Sequence, residues 1–124
     1  MLTTKVHEDT NLVTIDFDGA LDADELRACQ DAVRRVIERH GTVRIIERYR
    51  NIDWRGIDVG ALWQDLKSVG LIGKVQRCAV LGDSPTLQRV TDAVGHLLPV
   101  ELKTFDTDDF DAAFAWIQDE SRRS

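Results

Sequence analysis

Cysteine is scarce in this chain: Cys29 and Cys78 are the only two in 124 residues. One sits in a helical pattern and the other in a strand pattern, at no metal-ligand spacing. That excludes a disulfide framework and a Cys-built zinc site, and both read as buried, reduced thiols. Proline is as sparse, and Pro85 and Pro99 both fall at helix boundaries. No apolar run approaches the ~20 residues of a membrane span. Cations are outnumbered, 16 Lys and Arg against 22 Asp and Glu, for a net charge of −6. Such a domain repels phosphate backbones, which excludes general nucleic-acid binding. It also disfavours an anionic membrane surface unless a local basic patch overrides the total. The opening Met1-Leu2-Thr3-Thr4-Lys5 lacks the apolar core of a signal peptide, so the cytoplasm is the expected compartment. No repeat, linker or low-complexity tract appears, and 43% hydrophobic with 31% charged residues suits a single domain over 1–124.

What the chain does contain is an alternation of strand and helix patterns. Residues 2–7 and Leu12–Asp18 read as a hairpin around the polar turn Glu8–Asn11, with Val13, Ile15 and Phe17 on one face. Asp22 or Asp24 caps a helix whose inner positions are Leu26, Cys29, Val33, Val36, Ile37 and His40, and Gly41 stops it. Val43–Glu47 is a second core strand, followed by the polar run Arg48-Tyr49-Arg50-Asn51. Asp58 caps a helix over Val59–Val69 with Val59, Leu62, Trp63, Leu66 and Val69 on its apolar face. Lys74–Gly82 is a third core strand, apolar enough at its end to be covered on both faces. Ser84 and Pro85 open another helix, which Pro99 ends. Val100–Phe105 is a short strand. Asp106, Thr107 or Asp108 then caps a last helix with Phe110, Phe114 and Ile117 inward and Ala113 and Trp116 beside them. The order β-β-α-β-α-β-α-β-α, with right-handed crossovers, predicts a mixed, mostly parallel sheet with helices packed on it.

Catalytic and metal chemistry find little support. His7, His40 and His96 are far apart and form no His-x-x-x-His or Glu-x-x-His pair, so no metal site is expected. Nothing places Ser84, Cys29 or Cys78 beside a histidine, and no nucleotide-binding word is present, so neither a catalytic residue nor a cofactor is expected.

The words Val13-Thr14-Ile15-Asp16-Phe17-Asp18-Gly19, His40-Gly41-Thr42-Val43-Arg44-Ile45-Ile46, Gly60-Ala61-Leu62-Trp63-Gln64-Asp65-Leu66-Lys67, Arg77-Cys78-Ala79-Val80-Leu81-Gly82-Asp83 and Ala112-Ala113-Phe114-Ala115-Trp116-Ile117, in that order, resemble the SpoIIAA-like family of small STAS/SEC14-type domains. The resemblance spans nearly the whole chain. It implies an α/β fold with a five-stranded mixed sheet flanked by four helices, and a relation to anti-sigma factor antagonists and to the STAS domains of anion transporters. Members of that group act by binding protein partners or small, lipid-like ligands. The phosphorylatable antagonists carry a serine where this chain reads Trp54-Arg55-Gly56-Ile57-Asp58, so a phosphorylation switch is not expected there. Asp58 puts a fixed negative charge at the helix cap instead.

Two functions follow as expectations. The first is a non-catalytic module that binds a small amphipathic or lipid-like anion between the sheet and the helix at 58–69. Trp54, Leu62, Trp63 and Ile72 form its apolar walls, Arg48, Arg50 and Arg55 stand at its mouth, and Asp58 completes the set. Each has a plainer alternative: Trp63 as core, the arginines as a solvated loop paired with nearby aspartates, and Val69–Gly73 as a helix end stapled to the sheet rather than a flap. The second function is a protein-interaction or regulatory domain docking through residues 50–67 onto a partner or a second copy. Peripheral membrane contact stays open as a third kind of partner.

Overall fold

In β2 (Leu12–Asp18), side chains alternate across the strand, so Val13, Ile15 and Phe17 are buried on one face and Leu12 on the other. The structure is a computed structural model and describes residues 2–7, 9–19, 22–50, 66–82 and 100–119. β1 (Leu2–Val6) pairs antiparallel with β2. The turn between them is held by His7 N to Leu12 O at 3.1 Å and Leu12 N to Thr10 Oγ1 at 3.2 Å. Asp9 has a positive φ of 63° there, a conformation its short polar side chain tolerates.

α1 (Ala23–His40) starts where the Asp22 carboxylate accepts from Asp24 N at 2.7 Å, which decides the cap between the two aspartates. It ends at Gly41, φ 82°, whose N–H reaches Ile37 O. Cys29, Ala32, Val33, Val36 and Ile37 are buried. His40, expected on that inner stripe, is exposed in the last turn.

β3 runs from Val43 to Arg50, three residues past the expected end at Glu47. The reason is tertiary. Its parallel ladder with β2 continues through Tyr49↔Phe17 and Arg50↔Asp18, and the Tyr49 ring stacks on Phe17 at 4.5 Å between centroids and 3° between planes. β4 (Val75–Leu81) and β5 (Glu101–Phe105) follow, also parallel. The sheet therefore has five strands in the order β1-β2-β3-β4-β5, antiparallel only at its first pair.

Before β4, Leu66–Ser68 is a closing helical turn. Leu71 N bonds Leu66 O at 2.8 Å and Gly70 N bonds Lys67 O at 3.2 Å, with Gly70 at φ 77°. That is a Schellman termination, and its accompanying apolar contact is present because Leu66 and Leu71 enter the same core cluster. A 3-10 turn at Ile72–Lys74 leads into β4. The rest of the helix expected at 59–69, and the one expected after Ser84, fall outside the described residues.

α2 (Phe110–Gln118) starts at Asp109, one residue beyond the expected caps, and the Asp109 side chain makes no capping bond. Ala113, Trp116 and Ile117 are its buried positions, while Phe110 and Phe114, expected inward, are half-buried. The whole helical elements among the described residues are thus two α-helices and a 3-10 turn, beside the closing turn Leu66–Ser68, where four helices were expected.

The sheet separates two cores. The inner one joins α1 to Val13, Ile15, Phe17, Ile45, Tyr49, Cys78 and Val80; the outer one joins α2 to Leu12, Ile46, Ala79 and Leu81.

Candidate functional site

Strand alternation decides what each residue at the end of β3 can do. Glu47 and Tyr49 point into the inner core; Arg48 and Arg50 point to the outer face.

On the outer face the Arg48 guanidinium carbon lies 5.1 Å from the centroid of the Phe110 ring. Its Nε is buried and has no hydrogen-bond partner among the described residues. Arg50 reaches Asp16 at 3.3 Å across the β2–β3 ladder. On β5, Lys103 lies over Phe105 at 5.3 Å, and Arg77 on β4 lies over Trp116 at 5.0 Å. Three cations thus rest on three aromatic rings along one face, where ring quadrupole and desolvation both favour them. Arg77 has a plain structural role: 2% exposed, it donates to Trp116 O at 2.6 Å and to Glu101 at 3.1 Å, tying the end of α2 to the sheet. Among the described residues, Arg48 Nε has no such partner. Beside it, Phe105, Phe110 and Phe114 form a half-buried aromatic wall over the outer core.

On the inner face Glu47 is 3% exposed, and Tyr49 donates its hydroxyl to Glu47 Oε2 at 2.6 Å. Burial pushes the Glu47 carboxyl up to about 7 against the opposing Tyr49 hydrogen bond. Burial and the Glu47 charge push the Tyr49 hydroxyl well above its ordinary value. Burial raises the Cys29 thiol to about 11, with a Thr4 hydrogen bond opposing and the Glu47 charge adding, and it raises Cys78 as well. Both cysteines are free and buried, and a thiol held protonated is a poor nucleophile. His7 is shifted downward by burial and then by Lys5, and its Nε2 sits 2.7 Å from Thr14 Oγ1. Among the described residues no group of three His, Cys, Asp or Glu side chains could hold a metal. No helix of the described residues is long and apolar enough to cross a membrane.

Of the expected site residues, Arg48 and Arg50 share the outer face, in a strand and not in a loop. Ile72 packs on the inner core, with the sheet between it and the arginines. Trp54, Arg55, Asp58, Leu62 and Trp63 lie outside the described residues. Sequence reasoning missed Glu47, Tyr49 and the role of Phe110. The first two were readable as the continuation of the alternation Val43, Ile45.

The described strands run in sequential order with no reversal, so the sheet opens no crevice of the kind that binds ligands at a switch of strand order. Residues 12–118 match the SpoIIAA-like family. The chain belongs to the SpoIIAA-like family. Its fold is also similar to the crystal structure of an uncharacterized protein of the DUF3478 family from Shewanella loihica PV-4, described as having a SpoIIAA-like fold. That likeness has a TM-score of 0.63 at 16% identity, over 94% of this chain and 92% of that one. At that identity it shows the SpoIIAA-like fold alone. No curated protein matches the chain.

Proposed function

We propose that this SpoIIAA-like domain is a non-catalytic binding module for a small amphipathic anion, with Arg48 as the seat for its head. One observation carries the reading: a half-buried cation held over Phe110 with a buried Nε that has no partner among the described residues. An unpaired buried donor costs about 1–3 kcal/mol, and an anionic oxygen arriving there removes that cost. Phe110 and Phe114 offer the tail an apolar wall, and Arg50 and Lys103 add positive charge on the same face of an acidic protein. This relocates the described part of the site from the inner slot to the outer face.

Decanoate and decanol, titrated separately and followed by calorimetry, test the reading. Decanoate is expected to bind saturably, and Arg48→Gln to weaken it at least tenfold while leaving the weaker decanol binding unchanged. Decanoate binding that ignores Arg48→Gln, or no decanoate binding at all, would remove the proposal.

A second reading, a protein-interaction domain, is favoured by the outer edge of β1. No strand pairs with that edge among the described residues, and Val6 is 44% exposed on it.

A further inference from the structure

At the opposite end of the sheet, where β2, β3 and β4 begin, a cavity of about 520 Å³ opens against the C-terminal end of α2. Its size suits a small molecule. Among the described residues, Leu12 and Ile117 are the only large apolar side chains lining it. Its other described lining residues are Asp9, Thr10, Asn11, Thr42, Arg44, Gln76 and Gln118. An apolar guest would desolvate these groups without replacing their hydrogen bonds, so the cavity selects a polar one.

The wall is ordered by its own hydrogen bonds. Gln76 Oε1 accepts from Arg44 Nε at 2.9 Å and from Asn11 Nδ2 at 3.2 Å, and Asn11 Nδ2 also donates to Thr42 Oγ1 at 2.9 Å. This network fixes which way both amides point. The carbonyl of Gln76 and the amino group of Asn11 are engaged, which leaves Gln76 Nε2 as a donor and Asn11 Oδ1 as an acceptor. The Gln76 donor accompanies the Arg44 guanidinium. Asn11 and Asp9 both line the cavity from the β1–β2 turn, which holds Asp9 at positive φ. The helix end at Ile117–Gln118 adds the negative pole of a helix dipole. The wall thus carries a cationic, donating pair in Arg44 and Gln76 and an anionic, accepting pair in Asp9 and Asn11.

We propose that this cavity is a binding site for a small zwitterion of the α-amino acid class. The carboxylate is received by Arg44 and Gln76, and the ammonium by Asp9 and Asn11. A plain carboxylate satisfies only the first pair, and an amine only the second. The site lies at the opposite end of the strands from Arg48 and stands independently of the function proposed above.

The test is calorimetric titration of the intact protein with L-alanine, L-glutamine, acetate, methylammonium and inorganic phosphate. An amino acid is expected to bind at least tenfold more tightly than acetate, methylammonium or phosphate. Arg44→Gln and Asp9→Asn are each expected to weaken it at least tenfold. Gln76→Glu retains the acceptor that orders Asn11 and Arg44 but replaces the donor with negative charge. It is expected to abolish amino-acid binding with the circular dichroism spectrum unchanged, which separates loss of the site from loss of the fold. The proposal is overturned if neither L-alanine nor L-glutamine binds, if acetate, methylammonium or phosphate binds as tightly, or if a folded Gln76→Glu variant binds as the parent does.

Discussion

Glu47 shows how one buried residue couples the inner core to pH. Its carboxyl has an ordinary value of 4.5 in the unfolded chain and about 7 in the folded one. Below about pH 4.5 the group is neutral in both states, and burial carries no charge penalty. As pH rises the unfolded chain ionises first, so stability falls across the window up to about 7 and stays at its lower level beyond it. The loss from this group is about 3 kcal/mol. Glu47→Gln keeps an oxygen for the Tyr49 hydroxyl and cannot ionise. Urea midpoints measured from pH 4 to 8 are therefore expected to fall less steeply for the variant than for the parent. Equal slopes would show that Glu47 is not the source of the pH dependence.

The elements are terminated by identifiable chemistry, and each terminator can be removed alone. Gly70 closes the Leu66–Ser68 turn at φ 77°, and a Cβ placed on it meets nothing within 4 Å. Gly70→Ala is therefore a pure backbone change, expected to cost about 1 kcal/mol in chemical denaturation. Gly73 also has open space but no positive φ, so Gly73→Ala is expected to be neutral within about 0.5 kcal/mol. These endings were legible in the sequence because they rest on local chemistry: Asp22, Gly41 and the Val69–Gly73 exit all behave as their residue types dictate. What was not legible depends on contacts remote in sequence. The polar run Arg48–Arg50 reads as a loop, yet the neighbouring ladder and Phe17 hold it as strand. That extension carries Arg48 to the outer face and away from Ile72, which split the expected site. In α2 the largest apolar side chains suggested the inward face. The small Ala113 lets the helix approach the sheet, so Trp116 and Ile117 are buried and Phe110 and Phe114 turn half outward.

At the scale of the whole molecule, the sheet keeps two edges, β1 and β5. Lys5 and Val6 stand on the first, one guarding against further pairing and the other inviting it. If β1 is the interaction surface, light scattering is expected to show a concentration-dependent dimer that Val6→Lys reduces to the 14.0 kDa monomer. A dimer indifferent to that change would place the interface elsewhere.

The unreversed strand order also bears on how the chain is made. Each described strand hydrogen-bonds to the one synthesised just before it, so every addition finds its partner already made, although only the first pair is closed by a short turn and the parallel pairs span longer crossovers. A nascent chain can assemble this sheet vectorially, from first strand to last, as it emerges. The exception is the outer face: Leu12, Ile46, Ala79 and Leu81 wait for α2, the last described element, to cover them. A ribosome stalled before residue 110 would present a paired sheet with that apolar face bare, the kind of surface a chaperone binds.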